Sequence, residues 1–190
     1  MMKNQRNVLI VSDSKAFFDN MKTVLPPDEF DTRYASSCGE ARRFIVDRPV
    51  DILILNMPLP DEHGLLFAQD YVDSSMGILL ICPAEIYDSI SFEAEESGIV
   101  ILSDPCPPAF VYVAAKMMSS LVTRLEKMEA KNKTLQEKMA DIRIVNKAKW
   151  ALIENKHMTE GEAHKYIEKL AMDKRISSRQ AAEMILEETE

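Results

Sequence analysis

The sequence predicts an α/β doubly wound parallel five-stranded sheet, followed by a coiled-coil helix and an all-α three-helix module. Three observations predict it. Four continuous apolar runs and one mixed stretch alternate with helical segments through the first 118 residues. Apolar residues then recur at heptad spacing between Leu121 and Ile142, and three short amphipathic patterns, the last two with N-caps, follow from Ala148. The expected segments are residues 1–118, a linker helix at 119–143, and the helical module at 144–190.

In chain order, Val8-Leu9-Ile10-Val11 is apolar at every position, as expected of a strand covered on both faces. Ser12-Asp13-Ser14 ends it. A helix carrying Phe17, Phe18, Met21 and Leu25 runs until Pro26-Pro27, which cannot continue it. Phe30–Tyr34 is the second strand and Glu40–Val46 the second helix. Ile52–Leu55, Ile78–Ile81 and Ile99–Leu102 are further apolar runs of strand length. Alternation of this kind gives a parallel sheet with helices on both faces, whose site lies at the carboxyl ends of the strands.

The residues at those ends carry a family pattern. Asp51-Ile-Leu-Ile-Leu-Asn56-Met-Pro-Leu-Pro60-Asp-Glu-His-Gly64 resembles the receiver domain of two-component response regulators, a CheY/flavodoxin-like fold. There an acceptor aspartate is followed by proline four positions on and glycine eight positions on. The resemblance spans residues 7 to 118 and implies that Asn56 holds the phosphoacceptor position. It also implies that Ser12-Asp13 stands for the acidic pair, Cys82 for the hydroxyl residue ending the fourth strand, and Asp104-Pro105 for the lysine before a proline. Each change opposes phosphoryl transfer. An amide oxygen is a poor nucleophile, Mg²⁺ needs several hard oxygen ligands, and an acid at residue 104 repels phosphate. The expectation is a pseudo-receiver acting as a constitutive dimer, a docking surface or a sensor of a partner. Asn56 and Asp13 are expected to hydrogen-bond each other, with Asp13 and Asp104 as an alternative cation site. Asp61 and His63 read as loop residues.

The linker follows heptad logic. Leu121, Leu125, Met128, Leu135, Met139 and Ile142 fall on a and d positions, with Asn132 in the remaining a slot. A lone asparagine at a specifies a parallel two-stranded register at some cost in stability. Glu126, Lys127, Glu129, Lys131, Lys133 and Glu137 flank the seam. A parallel homodimer is expected, against the alternative of a long helix packing on its own receiver unit.

In the tail, Ala148, Ala151 and Leu152 mark a first helix. Thr159 with Glu162 forms a capping box for a second, bearing Ala163, Ile167, Leu170 and Ala171. Ser177 or Ser178 caps a third, bearing Ala181, Ala182, Ile185 and Leu186. Helices this short are marginal alone and must bury their stripes against each other. The tail resembles the ANTAR family, whose members bind RNA as transcription antiterminators. The matching residues are Ala148-Lys149, Thr159-x-x-Glu162-Ala163, Leu170-Ala171-Met172, Arg175 and Ala182-Glu183. Trp150, His164 and Glu168 depart from the family pattern. The resemblance implies RNA hairpins in nascent transcripts as partners, with Lys149, Arg175 and Arg179 as leading contacts and Ala148, Lys165 and Lys169 beside them. Trp150 and Tyr166 are each either a base-stacking ring or an anchor of the helical core.

Charge is uneven. Residues 1–116 hold 9 Lys/Arg against 18 Asp/Glu, residues 117–142 hold 5 against 4, and residues 143–190 hold 9 against 9, within an overall charge of −8. A neutral tail is no general polyanion binder, so nucleic-acid affinity requires cations clustered on one face. Cys38, Cys82 and Cys106 have no metal-ligand or disulfide spacing. No secretory or membrane-spanning segment is seen, which suggests a cytoplasmic protein without membrane partners. No nucleophile–base pattern or phosphate loop points to an enzyme, and no cofactor is expected. Two alternatives stand beside the antiterminator reading: a DNA-binding response regulator, and a protein-interaction adaptor without nucleic-acid binding. A regulatory protein partner fits any of the three.

Overall fold

A computed structural model of the chain describes residues 5–188, so the outermost residues of the first and last predicted segments lie outside it. The chain divides into two compact units, residues 1–127 and 128–190.

In the first unit, strands β1 (Arg6–Val11), β2 (Phe30–Ala35), β3 (Ile52–Asn56), β4 (Gly77–Pro83) and β5 (Val100–Asp104) form one sheet in the order β2-β1-β3-β4-β5. All neighbours are parallel. Helices α1 (Lys15–Val24), α2 (Cys38–Asp47), α3 (Gly64–Gln69) and α4 (Ala84–Glu96) connect them, and α5 (Pro108–Lys156) follows. The unbroken apolar runs are explained by the two cores they divide. Leu9, Val11, Leu53, Leu55 and Leu80 pack with α2, α3 and α4 residues on one face. Val8, Ile10, Ile52, Ile54, Leu79 and Ile81 pack on the other with Phe18 and Met21 of α1 and Val111, Ala115 and Met118 of α5. Successive side chains alternate between faces, so a strand buried on both must be apolar throughout.

The strand order reverses direction between β1 and β3, which opens a crevice at their carboxyl ends. Gly64 belongs to that architecture: a Cβ there would lie 2.9 Å from Met57 Cγ, so a larger residue would push apart the β3–α3 connection.

The second unit holds the end of α5, α6 (Glu160–Lys174) and α7 (Ser178–Glu187). Ala148, Leu152, Ala163, Ile167, Ala171, Ala181, Ala182 and Ile185 form its buried core. The small residues let short helices approach closely. One expectation is corrected here. The first helix of the tail is not a separate short element, because no breaker interrupts the sequence from Pro108 and the linker runs into it as one helix of 49 residues. No described helix is long and apolar enough to cross a membrane.

Candidate functional site

Two places carry the predicted functional residues, one in each unit.

In the crevice of the first unit, Asn56 ends β3 and Ser12 follows β1. Asn56 Nδ2 donates to Ser12 Oγ at 3.0 Å, and Ser12 Oγ also accepts from Ser14 N–H at 3.1 Å. Ser12 is fully buried, and the Tyr34 hydroxyl donates to its carbonyl at 2.9 Å. The expected Asn56–Asp13 bond is therefore corrected. The hydroxyl of Ser12 meets Asn56, while Asp13, the next residue, lies at a bend and is exposed. Cys82 is buried near the end of β4, and Asp104 is exposed at the end of β5. The residues present do not fit a Mg²⁺ site. Asn56 directs an N–H donor at Ser12, Asp13 makes no part of that pair, and among the described residues no group of three or more His, Cys, Asp or Glu converges.

Asp61 is more than a solvated loop residue. Its carboxylate accepts from the backbone N–H of Gly39 at 2.8 Å and of Cys38 at 3.0 Å, joining the β3–α3 loop to the start of α2. Those N–H donors, Gly39 first, hold the Asp61 carboxyl below its ordinary range. Glu62 pairs with Arg42 at 2.8 Å, and Arg42 reaches Asp70 at 2.9 Å. Burial pushes the Cys38 thiol up to about 12, so it stays protonated and unreactive. Sequence reasoning missed the Asp61 contact, because it joins residues 22 and 23 positions apart and the loop's path was not readable from spacing.

The second unit presents cations around its helical core. Thr159 and Glu162 form the capping box as predicted, and Ser177, not Ser178, caps α7 in a second box with Gln180. Ala148 is fully buried, so its methyl packs against neighbouring helices and is not available to a ligand. Lys149 is mostly covered, with its Nζ 3.5 Å from Glu160. Arg179 lies 3.0 Å from Asp141 and 2.8 Å from Glu183. Lys165, Lys169 and Arg175 are exposed. Arg175 stands at the C-terminus of α6 with φ 54°, where glycine is the usual residue. The two aromatic rings separate: Tyr166 packs against the core with Lys156 over its face, whereas Trp150 is 65% exposed.

Along α5, every described residue from Arg124 to Met139 is exposed, Asn132 included. Leu121, Leu125, Met128, Leu135, Met139 and Ile142 remain between 42% and 60% exposed. Phe110, Val113 and Met117, nearer the start of the helix, are also exposed and were missed in the sequence. They precede the first regular heptad at Leu121.

Residues 133–186 match the ANTAR domain. Over 185 residues the chain is 24% identical to the transcriptional regulatory protein PdtaR of Mycobacterium tuberculosis (strain ATCC 25618 / H37Rv), covering 96% of this chain and 90% of that one. Among solved structures, it resembles a response regulator receiver domain protein from Clostridium thermocellum, with TM-score 0.55 and 18% identity over 65% of this chain and 98% of that one. It also resembles a CheY-like response regulator receiver domain protein from Methanospirillum hungatei JF-1, with TM-score 0.55 and 18% identity over 66% and 99%. These likenesses place the first unit in the CheY-like fold.

Proposed function

We propose that this chain is an RNA-binding transcription antiterminator of the response-regulator type. It works as a homodimer, and its receiver-like unit is not switched by phosphorylation at Asn56. The observation that carries the reading is the ANTAR match at residues 133–186, which coincides with a closed three-helix core bearing Lys149, Lys165, Lys169, Arg175 and Arg179 outside it. The similarity to a transcriptional regulatory protein over 96% of the chain supports the same joining of units. The role is regulatory and not catalytic.

The dimer is supported by the exposed apolar seam of α5. Six large apolar residues at a and d positions, each between 42% and 60% exposed, favour a second copy in parallel. A three-helix unit has a small footprint and few phosphate contacts, so one copy binds weakly. Two copies on one RNA convert the second contact into an intramolecular step. In the receiver-like unit, Asn56 bonded to Ser12 supplies neither a nucleophile nor a metal ligand set, so the output does not wait for a phosphoryl group. Control through a regulatory protein partner or through expression level fits this arrangement.

The test is equilibrium binding of the purified chain to two-hairpin RNAs with randomised loops, at two salt concentrations, with Lys149→Ala/Arg175→Ala as control. Expected is binding that weakens in the double variant, decreases with salt and is unchanged by acetyl phosphate. Equal affinity for a DNA duplex would favour the DNA-binding reading. A folded dimer that ignores every RNA would favour the adaptor, a reading to which the carboxylates on Lys149 and Arg179 give some support.

A further inference from the structure

We propose that Trp150 is a stacking platform for an unpaired RNA base, with Lys149 beside it holding the adjoining phosphate. The inference rests on the RNA-binding reading and adds to it a contact particular to this chain. Trp150 is the single tryptophan of the sequence and lies outside the helical core, 65% exposed. It borders a depression of about 260 Å³ lined by Asn146, Lys149, Ile153 and Glu160. Lys149 also lines a second depression, of about 490 Å³, shared with Arg179 and the N-terminal serines of α7. A flat apolar ring thus stands beside an ammonium group, while in the second depression Asp141 also lines the wall and pairs with Arg179.

A nucleotide matches that pair of groups, its base face on the indole and its phosphate on the ammonium. Unpaired loop bases are commonly held by aromatic stacking with backbone contacts to Lys or Arg. Local charge agrees: from Arg143 to Lys156 the helix carries Arg143, Lys147, Lys149 and Lys156 against the single acid Glu154. A second copy is the poorer occupant. Beyond Ile142 the next a and d positions are Asn146 and Lys149, so an apolar parallel seam would bring two lysines together. Glu160, 3.5 Å from Lys149, sits where a phosphate oxygen would bind, and the RNA must displace it.

The single tryptophan supplies the assay. The full chain is titrated with a two-hairpin RNA selected from a randomised-loop pool. Intrinsic fluorescence follows residue 150, while anisotropy of the end-labelled RNA follows binding independently. Expected are quenching with the same midpoint as anisotropy and a loss of about tenfold or more for Trp150→Ala, as removal of one stacked base predicts. Trp150→Phe should retain most of the affinity, and Glu160→Gln should bind more tightly. Anisotropy that reports tight binding with unchanged emission, and Trp150→Ala binding like the parent chain, would overturn the stacking role while leaving RNA binding intact. Emission that shifts with protein concentration before RNA is added, and not with RNA, would assign the ring to a second copy. No binding by anisotropy to any pool member would overturn the stacking role and the RNA reading together.

Discussion

Leu135→Ala separates a dimeric seam from a solvated helix, because the two accounts predict opposite effects. In a lone helix Leu135 is 52% exposed, and alanine is the better helix former, so truncation costs nothing or stabilises slightly. At a d position of a parallel pair the same side chain is closed against its partner. Truncation removes on the order of 60 Å² of apolar burial per chain, about 1.5 kcal/mol at 25 cal/mol/Å². Two copies lose about 3 kcal/mol, which weakens association by roughly a hundredfold. Sedimentation velocity over a concentration series measures this directly. Expected is a dimer for the parent chain and a midpoint shifted about two decades upward for Leu135→Ala. A parent chain that sediments as a monomer throughout, or a variant indistinguishable from it, would refute the seam.

Other outcomes follow from particular contacts. Asn132→Leu should tighten association while admitting higher oligomers in the same sedimentation experiment, since the polar a position restricts register and number. Arg175→Gly should keep or raise thermal stability, because glycine accepts φ 54° without strain, and yet lower RNA affinity; a variant that binds RNA unchanged would remove Arg175 from the interface. Thr159→Ala should cost about 1 kcal/mol of stability in the second unit through loss of the capping box, read by chemical denaturation. The Asp61 carboxyl lies below its ordinary range in the folded chain, so its stabilisation is complete above that range and is lost as pH falls through the folded value. Asp61→Asn should therefore be less stable than the parent at neutral pH, with the difference closing in acid.

The middle of the sheet was legible because β1, β3 and β4 are buried on both faces, which leaves a run such as Ile52–Leu55 no polar position to obscure it. The caps of α6 and α7 were legible because a capping box is local, fixed by residues three apart. Contacts that join distant segments were not. Asp61 reaches α2 through a loop whose path depends on the packed sheet, and the partner of Asn56 depends on which way residue 12 turns at a strand end. Ala148 was expected beside the RNA contacts, and its burial emerged only once the helices were placed around it. Trp150 and Tyr166 posed the same ambiguity, and tertiary placement separated them. The continuity of α5 was hidden for a different reason. Its segments present different faces to different surroundings, so the periodicity changes although the helix does not end.

The most direct test of the central claim is transcription in vitro across a terminator preceded by a hairpin pair that the chain binds. The account predicts that the purified, unphosphorylated dimer raises read-through, and that acetyl phosphate adds nothing. It also predicts that Leu135→Ala and Lys149→Ala/Arg175→Ala each abolish the gain. Read-through that is unchanged by the protein, or that rises only after a phosphoryl donor is supplied, would contradict it.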